Sequence, residues 1–335
     1  MCYQLSTATA INAAKSSSLP NVKAMWPNDS LTPTDGGLCV TIVKNHRPLS
    51  MQKDLDAFVQ TACAFDPADS LLPFTVEGVL AGWMKRSFAE HLSQWPEFFS
   101  VRPRGVAMLG DFETDLHRSV AIAEVVESLA TETVINGWRG ELVTVAETFY
   151  SPPLFHIERA ASRYFGLTMY ASHLNGLTTK NGEPHMWIAQ RADSKAVDPG
   201  KLDNLAAGRI ARGMGAFDTL VKESFEEAGI APELANTAHG AGVVRCKREV
   251  EEGMHHEIMF VHDILLPENF VPQNQDGEVS GFQCVPITDL MLRLEEDPDE
   301  FTVDAALVVL DCLIRRGFVT SDRKDYLEII HALRP

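Results

Sequence analysis

The chain has few basic residues for its length. Its 335 residues include 29 Lys and Arg against 46 Asp and Glu, which gives a formal net charge of −17 at pH 7. Nucleic acids and anionic membranes are bound through basic patches, so this balance argues against both as partners. An anionic small molecule would need a bound metal ion or a local cluster of Lys and Arg. We therefore expect a small-molecule partner, no nucleic acid and no membrane.

Closely spaced cysteines and long apolar runs are also missing. Disulfide frameworks and structural zinc sites use clustered cysteines, so we expect reduced thiols and neither kind of site. No apolar run has membrane-spanning length, and the first residues lack the charged start and apolar core of a signal peptide. These absences predict a cytoplasmic protein. The six cysteines are Cys2, Cys39, Cys63, Cys246, Cys284 and Cys312.

Several motifs of other enzyme classes are absent. The sequence contains neither the phosphate-binding loop G-x-x-x-x-G-K-[ST] nor the nucleophile motif G-x-S-x-G. The glycines at 208, 213 and 215 do not complete the dinucleotide motif G-x-G-x-x-G, and the segment after them is acidic where a pyrophosphate would lie. A Walker-type kinase and a serine-triad hydrolase are therefore disfavoured.

The most informative stretch is residues 208–230, GRIARGMGAFDTLVKESFEEAGI. Residues 216–228 lack Pro and Gly, which predicts a helix of about three turns. Gly229 is expected to end it in the left-handed conformation, and Asp218 is available as a cap near its start. The three preceding glycines allow the backbone to turn sharply and to approach a ligand closely.

Three glutamates of this helix share one face, because Glu223, Glu226 and Glu227 lie three and four residues apart. Like charges on one face repel, and a divalent cation removes that cost; oxygen ligands suit Mg²⁺. The alternative is a solvated acidic face that ends at an ordinary glycine cap. The glycines before the helix favour a combined phosphate and metal site. The residues expected to pack inward are Val221, Phe225 and Ala228.

Gly208 followed by residues 222–230, KESFEEAGI, resembles the Nudix box, G-x5-E-x7-R-E-U-x-E-E-x-G-U with U apolar. The chain departs from the pattern at three positions. Met214 replaces the early Glu, Lys222 replaces Arg, and Ser224 replaces the first apolar residue. Lys222 keeps the charge of Arg but not its fork-shaped set of donors. The core E-x-x-E-E-x-G is intact.

The surrounding segments Trp187–Arg191 and Leu202–Gly208 resemble one Nudix subfamily, from about Leu55 to the C-terminus. Its members carry an N-terminal domain of their own, tend to lack the early Glu, and are often described as thiamine-pyrophosphokinase-related. The resemblance implies an α/β fold, a Nudix-type α/β/α sandwich with a mixed sheet preceded by a small α+β domain. It also implies hydrolysis of phosphoric anhydride bonds with Mg²⁺, for which Mn²⁺ can substitute.

The resemblance implies a set of site residues. Glu223 or Glu278 would be the general base, with Lys222 orienting Glu223. Glu278 is otherwise a plain acidic turn, and Arg191 otherwise pairs with a carboxylate. The metal ligands implied are Glu223, Glu226 and Glu227, and the substrate-binding residues are Arg191, Asn204 and Gly208.

The subfamily suggests thiamine diphosphate as substrate, and especially its oxidised or damaged analogues, which would be cleaved to the monophosphate. A nucleoside-diphosphate-linked compound such as ADP-ribose, NADH or a nucleotide sugar is the alternative. A non-catalytic Nudix fold that binds a ligand or partner is a third option, against which the intact Glu cluster argues. The sequence leaves the oligomeric state open, with a homodimer as one option.

The predicted domains are a poorly readable extension over residues 1–50, a small α+β domain over 51–150, a Nudix domain over 154–320 and a tail helix over 321–335, with a linker at 151–153. Hairpins are predicted around Glu77-Gly78 and around residues 180–183. His255, His256 and Glu257 resemble a metal cluster, but successive strand residues point to opposite faces. We therefore expect hydrogen-bonded rather than metal-ligating histidines there.

Overall fold

The computed structural model describes residues 55–110 and 112–335, the side chain of Asp69 excepted, and the extension predicted over residues 1–50 lies outside this range. The helices are α1 Leu55–Cys63, α2 Arg86–Leu92, α3 Asp115–Thr131, α4 Ala216–Ala228, α5 Pro232–Ala235, α6 Ile287–Glu296, α7 Val303–Arg315 and α8 Tyr326–Leu333. The strands are β1 Leu72–Val76, β2 Val79–Met84, β3 Phe99–Arg102, β4 Gly105–Met108, β5 Leu142–Ala146, β6 Pro153–Glu158, β7 Thr168–Lys180, β8 Glu183–Arg191, β9 Leu202–Asp203, β10 Ala206–Arg209, β11 His239–Glu249, β12 Met254–Leu265 and β13 Val279–Pro286.

Both predicted hairpins are present, and their turns explain why. Glu77 and Gly78 have φ of 52° and 82° between β1 and β2, and Asn181 and Gly182 have φ of 53° and 81° between β7 and β8. Two successive positive φ angles are what a tight two-residue hairpin turn requires, and Gly in the second position adopts them readily. Local sequence is therefore sufficient to place these two turns.

The larger sheet is mixed, with strand order β11-β12-β7-β8-β13, β10 beside β7 and β9 beside β8. Strands β12 and β7 run parallel, and the other pairs in this sheet are antiparallel. Helix α4 packs on one face through a core that includes Leu174, Leu205 and Leu220. Helices α1, α6, α7 and α8 cover the other face. The predicted α/β/α sandwich with a mixed sheet is confirmed.

The smaller module consists of the sheet β2-β1-β4-β3, the β5–β6 ribbon, α2 and α3. Its core holds Phe74 against Phe155 and Phe165, with ring centroids 6.3 and 5.5 Å apart. The linker predicted at residues 151–153 falls at the β5–β6 turn, where Val145 pairs with Phe155. The side chains of β6 and the segment up to Met169 therefore belong to the core of the smaller module.

Helix α1 packs against the larger sheet, whereas the sequence predicted these residues in the small α+β domain over residues 51–150. Its periodicity predicts a helix, yet Val59 and Cys63 pack into the core of the larger sheet, beside α8 and β11, rather than into the smaller module. Apolar spacing identifies a buried helix face but does not identify the surface that covers it. Among the described residues, no helix has both the length and the apolar character needed to cross a bilayer.

A buried ion network ties α7 to the centre of the larger sheet. Asp263 on β12 is 1% exposed and accepts hydrogen bonds from Asn175 at 3.0 Å, Arg315 at 2.8 and 3.1 Å, and Arg316 at 2.7 Å. Burial alone would raise the pKa of Asp263, but the hydrogen bonds and charge of Arg315, with Asn175 and Arg316, lower that pKa to about 2. The fold therefore stabilises the ionised form of Asp263.

The Asp263→Asn variant should lower the free energy of unfolding by about 3–5 kcal/mol at pH 7, because it leaves buried guanidinium groups without their carboxylate. A carboxyl group with a depressed folded pKa stabilises the protein above its unfolded pKa and loses that contribution as pH falls through the folded pKa. The wild type should therefore lose this contribution between about pH 4 and pH 2, and the variant should not. Urea unfolding measures both effects, with the exposed Glu124→Gln as control. A variant as stable as that control would contradict the assignment.

Candidate active site

Helix α4 has the predicted bounds, and Gly229 ends it with φ of 65°. Two details of the prediction are wrong. The N-cap is Gly215 without a side-chain hydrogen bond, and Asp218 lies in the first turn instead of capping it. Of the residues predicted to pack inward, Ala228 is buried and Val221 packs against the core, but Phe225 is 50% exposed, so the buried face is rotated away from it. The packing of α4 on β10 and β7 sets this rotation, and apolar spacing alone does not determine it. The residues that α4 buries are Thr219, Leu220, Ser224, Glu227 and Ala228.

Glu227 is a buried carboxylate on this inward face. Its Oε2 accepts a hydrogen bond from the backbone N–H of Ala207 at 2.8 Å. Burial raises the pKa of Glu227 well above its usual value; the hydrogen bond from Ala207 opposes the shift, whereas the charges of Asp203 and Glu223 add to it. Within the described residues Glu227 forms no ion pair with a basic side chain. The charge of Lys195 also opposes the shift but does not outweigh burial, so the protein compensates the ionised carboxylate only in part.

Glu223 lies against Gly208 of β10. A Cβ atom built at position 208 would overlap with Cγ and Cδ of Glu223, so glycine is required for the carboxylate to lie against the strand. Burial raises the pKa of Glu223, Lys222 opposes the shift, and the charges of Glu226 and Glu278 increase it. The absence of a side chain at Gly208 on β10 therefore makes room for the Glu223 side chain of α4.

Lys222 supplies the nearest positive charge to the outer carboxylates. Its Nζ lies 3.0 Å from Oε1 of Glu223 and 2.6 Å from Oε2 of Glu226. Burial lowers the pKa of Lys222, but the hydrogen bonds and charges of these two glutamates outweigh it and raise the pKa above its usual value. The side chain is half exposed and can move away. Three carboxylates with one mobile cation are a donor set that fits a divalent metal ion.

The loop between β12 and β13, residues 266–278, forms the facing wall. The backbone N–H of Gln275 donates to the carbonyl oxygen of Glu226 at 2.8 Å, which ties the loop to α4. Oδ1 of Asp276 accepts from the N–H of Glu278 at 2.8 Å and shapes the turn. The Glu278 carboxylate forms an ion pair with Lys195. Glu278 therefore lines the same cavity as Glu223, and its role as a base stays a prediction.

Two of the three predicted substrate-binding residues line the cavity, and the third does not. Gly208 and Arg191 line the cavity. The Arg191 guanidinium donates to Asp203 at 2.8 Å and to loop carbonyl oxygens, so the structure shows the carboxylate pairing that the sequence left as the alternative. Asn204 is 2% exposed and does not line the cavity. Its side chain lies between His173, at 2.9 Å, and Asn175, at 3.3 Å, so direct substrate contact by Asn204 is corrected to a structural role.

The cavity has a volume of about 1040 Å³ and extends to a charged wall that the sequence did not indicate. Arg209, next to Gly208, donates to Glu257 with Nη2 2.9 Å from Oε2. Nε2 of His255 lies 3.1 Å from Asp304 of α7, whereas His256 points to the other face and contacts Thr168. The predicted alternation of His255 and His256 is thus confirmed. The contact of Asp304 with β12 had no sequence signal, because these residues are far apart along the chain.

Cys246 lies near this wall. Potential ligand atoms of Cys246, His255 and Asp304 are within 4.8 Å of one another. Burial, followed by the charges of Asp304 and Cys63, raises the pKa of the Cys246 thiol well above its usual value. The thiol lies 3.4 Å from the carbonyl oxygen of Ala62 and can donate to it. A protonated thiol is a poor metal ligand, so we do not assign a metal centre to this group.

Comparisons with known proteins decide the family. A model for a domain of unknown function, DUF4743, matches residues 54–169, and the NUDIX domain model matches residues 173–306. Nudix hydrolase 24, chloroplastic, from Arabidopsis thaliana is 35% identical over 265 residues, which cover 78% of this chain and 72% of that protein. The chain belongs to the Nudix hydrolase family. The first match ends at residue 169, and Met169 also belongs to the core of the smaller module.

A second relative agrees with this assignment. Nudix hydrolase 20, chloroplastic, from the same plant is 33% identical over 272 residues, which cover 78% of this chain and 72% of that protein. The crystal structure of DR0079 from Deinococcus radiodurans superposes with a TM-score of 0.42 at 16% identity, covering 52% of this chain and 100% of that one. The predictions of a hydrolase and of an additional N-terminal domain are confirmed. The thiamine-related subfamily, the cytoplasmic location and the homodimer stay predictions.

The Gly208→Ala variant should displace the Glu223 carboxylate and weaken Mg²⁺ binding, with turnover reduced about 10–100-fold, because misplacing a ligand by about 1 Å has effects of this size. Calorimetric titration with Mg²⁺ and steady-state kinetics measure these changes. Gly240→Ala is the matched control, since a Cβ there meets nothing within 4 Å. Unchanged Mg²⁺ affinity and turnover in Gly208→Ala would contradict a role for the Gly208–Glu223 contact.

Proposed function

We propose that this Nudix hydrolase is a divalent-metal-dependent pyrophosphohydrolase that cleaves the diphosphate of a small organic molecule. The observation that carries the proposal is the arrangement of Glu223 and Glu226 on α4 opposite Glu278 around one cavity, with Glu227 buried on the inward face of the same helix. Clustering and burying like charges destabilises a fold. A protein that only binds a ligand gains nothing from this arrangement, whereas a metal-dependent hydrolase requires it.

The chain positions each ligand by a separate contact. Glu227 is fixed by the N–H of Ala207, Glu223 is held against Gly208, and Glu226 lies one turn from Lys222. These three glutamates would hold Mg²⁺, or Mn²⁺ as a substitute. The metal ion, when bound, would neutralise negative charge on the diphosphate and would lower the pKa of a bound water.

Two carboxylates are placed to accept a proton from an attacking water: Glu223 on α4 and Glu278 on the facing loop. Glu278 is oriented by Lys195, and Lys222 orients Glu223. The two lysines also bring positive charge beside the carboxylates, where an anionic substrate would approach. Comparison of Glu223→Gln with Glu278→Gln separates the roles, because a residue that is both metal ligand and base should affect Mg²⁺ affinity as well as turnover.

The cavity favours one of the two substrate classes. Tyr164 is the only Phe, Tyr or Trp residue among the described side chains that line it, and the lining also holds six arginines. Both substrate classes are anionic because of their diphosphate, and carboxylates lie among these arginines, so size rather than charge separates the two classes. The volume of about 1040 Å³ is at the upper end of the range for ligand pockets. We therefore place nucleoside-diphosphate-linked compounds first and thiamine-type diphosphates second.

A substrate panel tests this order. Purified protein with Mg²⁺ is incubated with ADP-ribose, NADH, coenzyme A, thiamine diphosphate, and oxothiamine and oxythiamine diphosphates, and the products are separated by chromatography. We expect hydrolysis concentrated on the nucleotide compounds and lost on addition of EDTA. Preference for the thiamine compounds would retain the site and overturn the order of substrate classes. Absence of hydrolysis by protein that still binds Mg²⁺ would favour a binding function.

The Glu227→Gln variant should lose turnover by about 10²-fold or more, because it removes a carboxylate that serves the transition state. In EDTA the same variant should be at least as stable as the wild type at pH 7. Burial raises the pKa of Glu227, so the wild type loses stability as pH rises above the usual carboxyl range, and the amide removes that loss.

Thermal unfolding in EDTA and in Mg²⁺ measures this second effect. Mg²⁺ should raise the midpoint of the wild type more than that of Glu227→Gln, because a ligand stabilises only the state that binds it. Glu233→Gln, on the exposed surface of α5, is the matched control. Equal Mg²⁺ stabilisation of the wild type and Glu227→Gln would exclude Glu227 as a ligand.

A further inference from the structure

The cavity that contains the acidic helix has a second wall of opposite character, which the metal site does not use. One part of this wall comes from the smaller module and the segment after β6, and another part from β10 and β11 of the larger sheet. The basic residues that line it are Arg139, Arg159, Arg163, Arg209 and Arg248. The acidic residues that line it are Glu141, Glu252, Glu257 and Asp304. We call this surface the arginine wall.

Two of these arginines are neutralised inside the protein. Arg159 lies 2.8 Å from Glu141, and Arg209 lies 2.9 Å from Glu257. Burial lowers the pKa of Arg159; Glu141 opposes this shift, and the charges of Arg209 and Arg139 add to it. The guanidinium groups of Arg139, Arg159 and Arg209 are therefore close enough to repel one another. Repulsion of this kind is relieved by a bound anion.

The other three arginines have donors that the protein does not use. Arg139 is exposed and forms no ion pair within the described range. Arg163 lies 3.7 Å from Glu252, beyond hydrogen-bond distance. Nε of Arg163 and Nε of Arg248 are buried atoms without a hydrogen-bond partner among the described residues. These two Nε groups are enclosed, so an anion in the cavity would instead meet the positive charge of Arg139, Arg163 and Arg248, none of which is hydrogen-bonded to a described carboxylate.

The arginine wall is continuous with the metal site through the backbone. Gly208 contacts Glu223, and the next residue of β10, Arg209, belongs to the wall. Arg248 lies opposite His255 in the β11–β12 pair, and the carbonyl oxygen of Arg163 accepts from the N–H of Met254 at 3.1 Å. Arg163 and Arg248 therefore lie at the same end of β12. One ligand that occupies the cavity can reach both the acidic helix and these arginines.

We propose that Arg139, Arg163 and Arg248 form an anion subsite for a second phosphate group of the substrate, separate from the diphosphate that is cleaved. The ligand class is an organic diphosphate that carries an additional phosphate monoester. Guanidinium groups match phosphate oxygens with paired donors, which suits this role. The smaller module then determines which diphosphates are accepted. The subsite deepens the proposed function and rests on it for the identity of the cleaved bond.

Substrate pairs that differ by one phosphate monoester test the subsite. NADPH is compared with NADH, and coenzyme A with dephospho-coenzyme A, in the variants Arg139→Gln, Arg163→Gln and Arg248→Gln. Loss of one charge-assisted contact should raise KM for the phosphorylated member by about 10-fold or more. The kcat values, and KM for the unphosphorylated member, should change less than about 3-fold, because these arginines do not contact the reacting atoms. Equal effects on both members of each pair would overturn the proposal.

Arg104→Gln is the matched control, because Arg104 is an exposed arginine of the smaller module that does not line the cavity. Its kinetics should equal those of the wild type. Added salt should reduce the preference for the phosphorylated members in the wild type and not in the variants, since exposed charge interactions are screened. If Arg163→Gln or Arg248→Gln unfolds, as thermal unfolding will show, the exposed Arg139→Gln carries the kinetic test.

A binding experiment separates failure of the subsite from failure of the proposed hydrolysis. Adenosine 3′,5′-bisphosphate is titrated into the protein by calorimetry in EDTA, where no metal-dependent turnover occurs. The wild type, Arg104→Gln and Glu227→Gln should bind it alike, and the three subsite variants should bind it about 10-fold more weakly or worse. Such binding without hydrolysis of any panel compound would retain the subsite and overturn the proposed function. Equal binding by wild type and subsite variants would overturn the subsite.

Discussion

A buried carboxylate that forms no ion pair with a described basic side chain is the constraint on which the site depends. Glu227 is held on the inward face of α4 by one backbone N–H, and its burial raises its pKa. The surroundings are arranged to tolerate this charge: Gly208 leaves room for Glu223, and Lys222 bridges the two outer glutamates. A fold retains such an unfavourable group when a ligand compensates it. The arrangement is therefore evidence for a metal ion as well as a consequence of the fold.

Two other buried acids in the protein show the opposite behaviour. The pKa of Asp263 is lowered by Arg315 against the effect of burial, and the pKa of Glu257 is lowered by Arg209 in the same way. Both of these carboxylates have their cations supplied by the protein. Asp263 and Glu257 therefore belong to structural ion pairs, whereas Glu227 would be compensated by an external cation. Burial alone would not have made that distinction.

The two modules meet at one cavity, and the charges on its walls differ. The α4 side carries carboxylates suited to a metal and a diphosphate, while the arginine wall carries guanidinium groups with unused donors. Positive charge at a distance from the metal favours a substrate with negative charge at both ends. This distribution supports the proposed subsite for a second phosphate group, which would give the smaller module a part in recognition.

The sequence by itself determined the elements whose cause is local. The Asn181-Gly182 turn, the helix between Gly215 and Gly229 and the spacing of the three glutamates follow from glycine conformation and helix geometry. These local features were sufficient to indicate the fold class and the acidic half of the site. Only the tertiary structure decided which face of α4 is buried, that α1 covers the larger sheet, and that Asn204 is enclosed. It also brought Arg139, Arg163 and Arg248 to one wall. Contacts between residues that are distant in the chain depend on how the sheets and helices pack. A periodic sequence pattern identifies a buried face but not the element that packs against it.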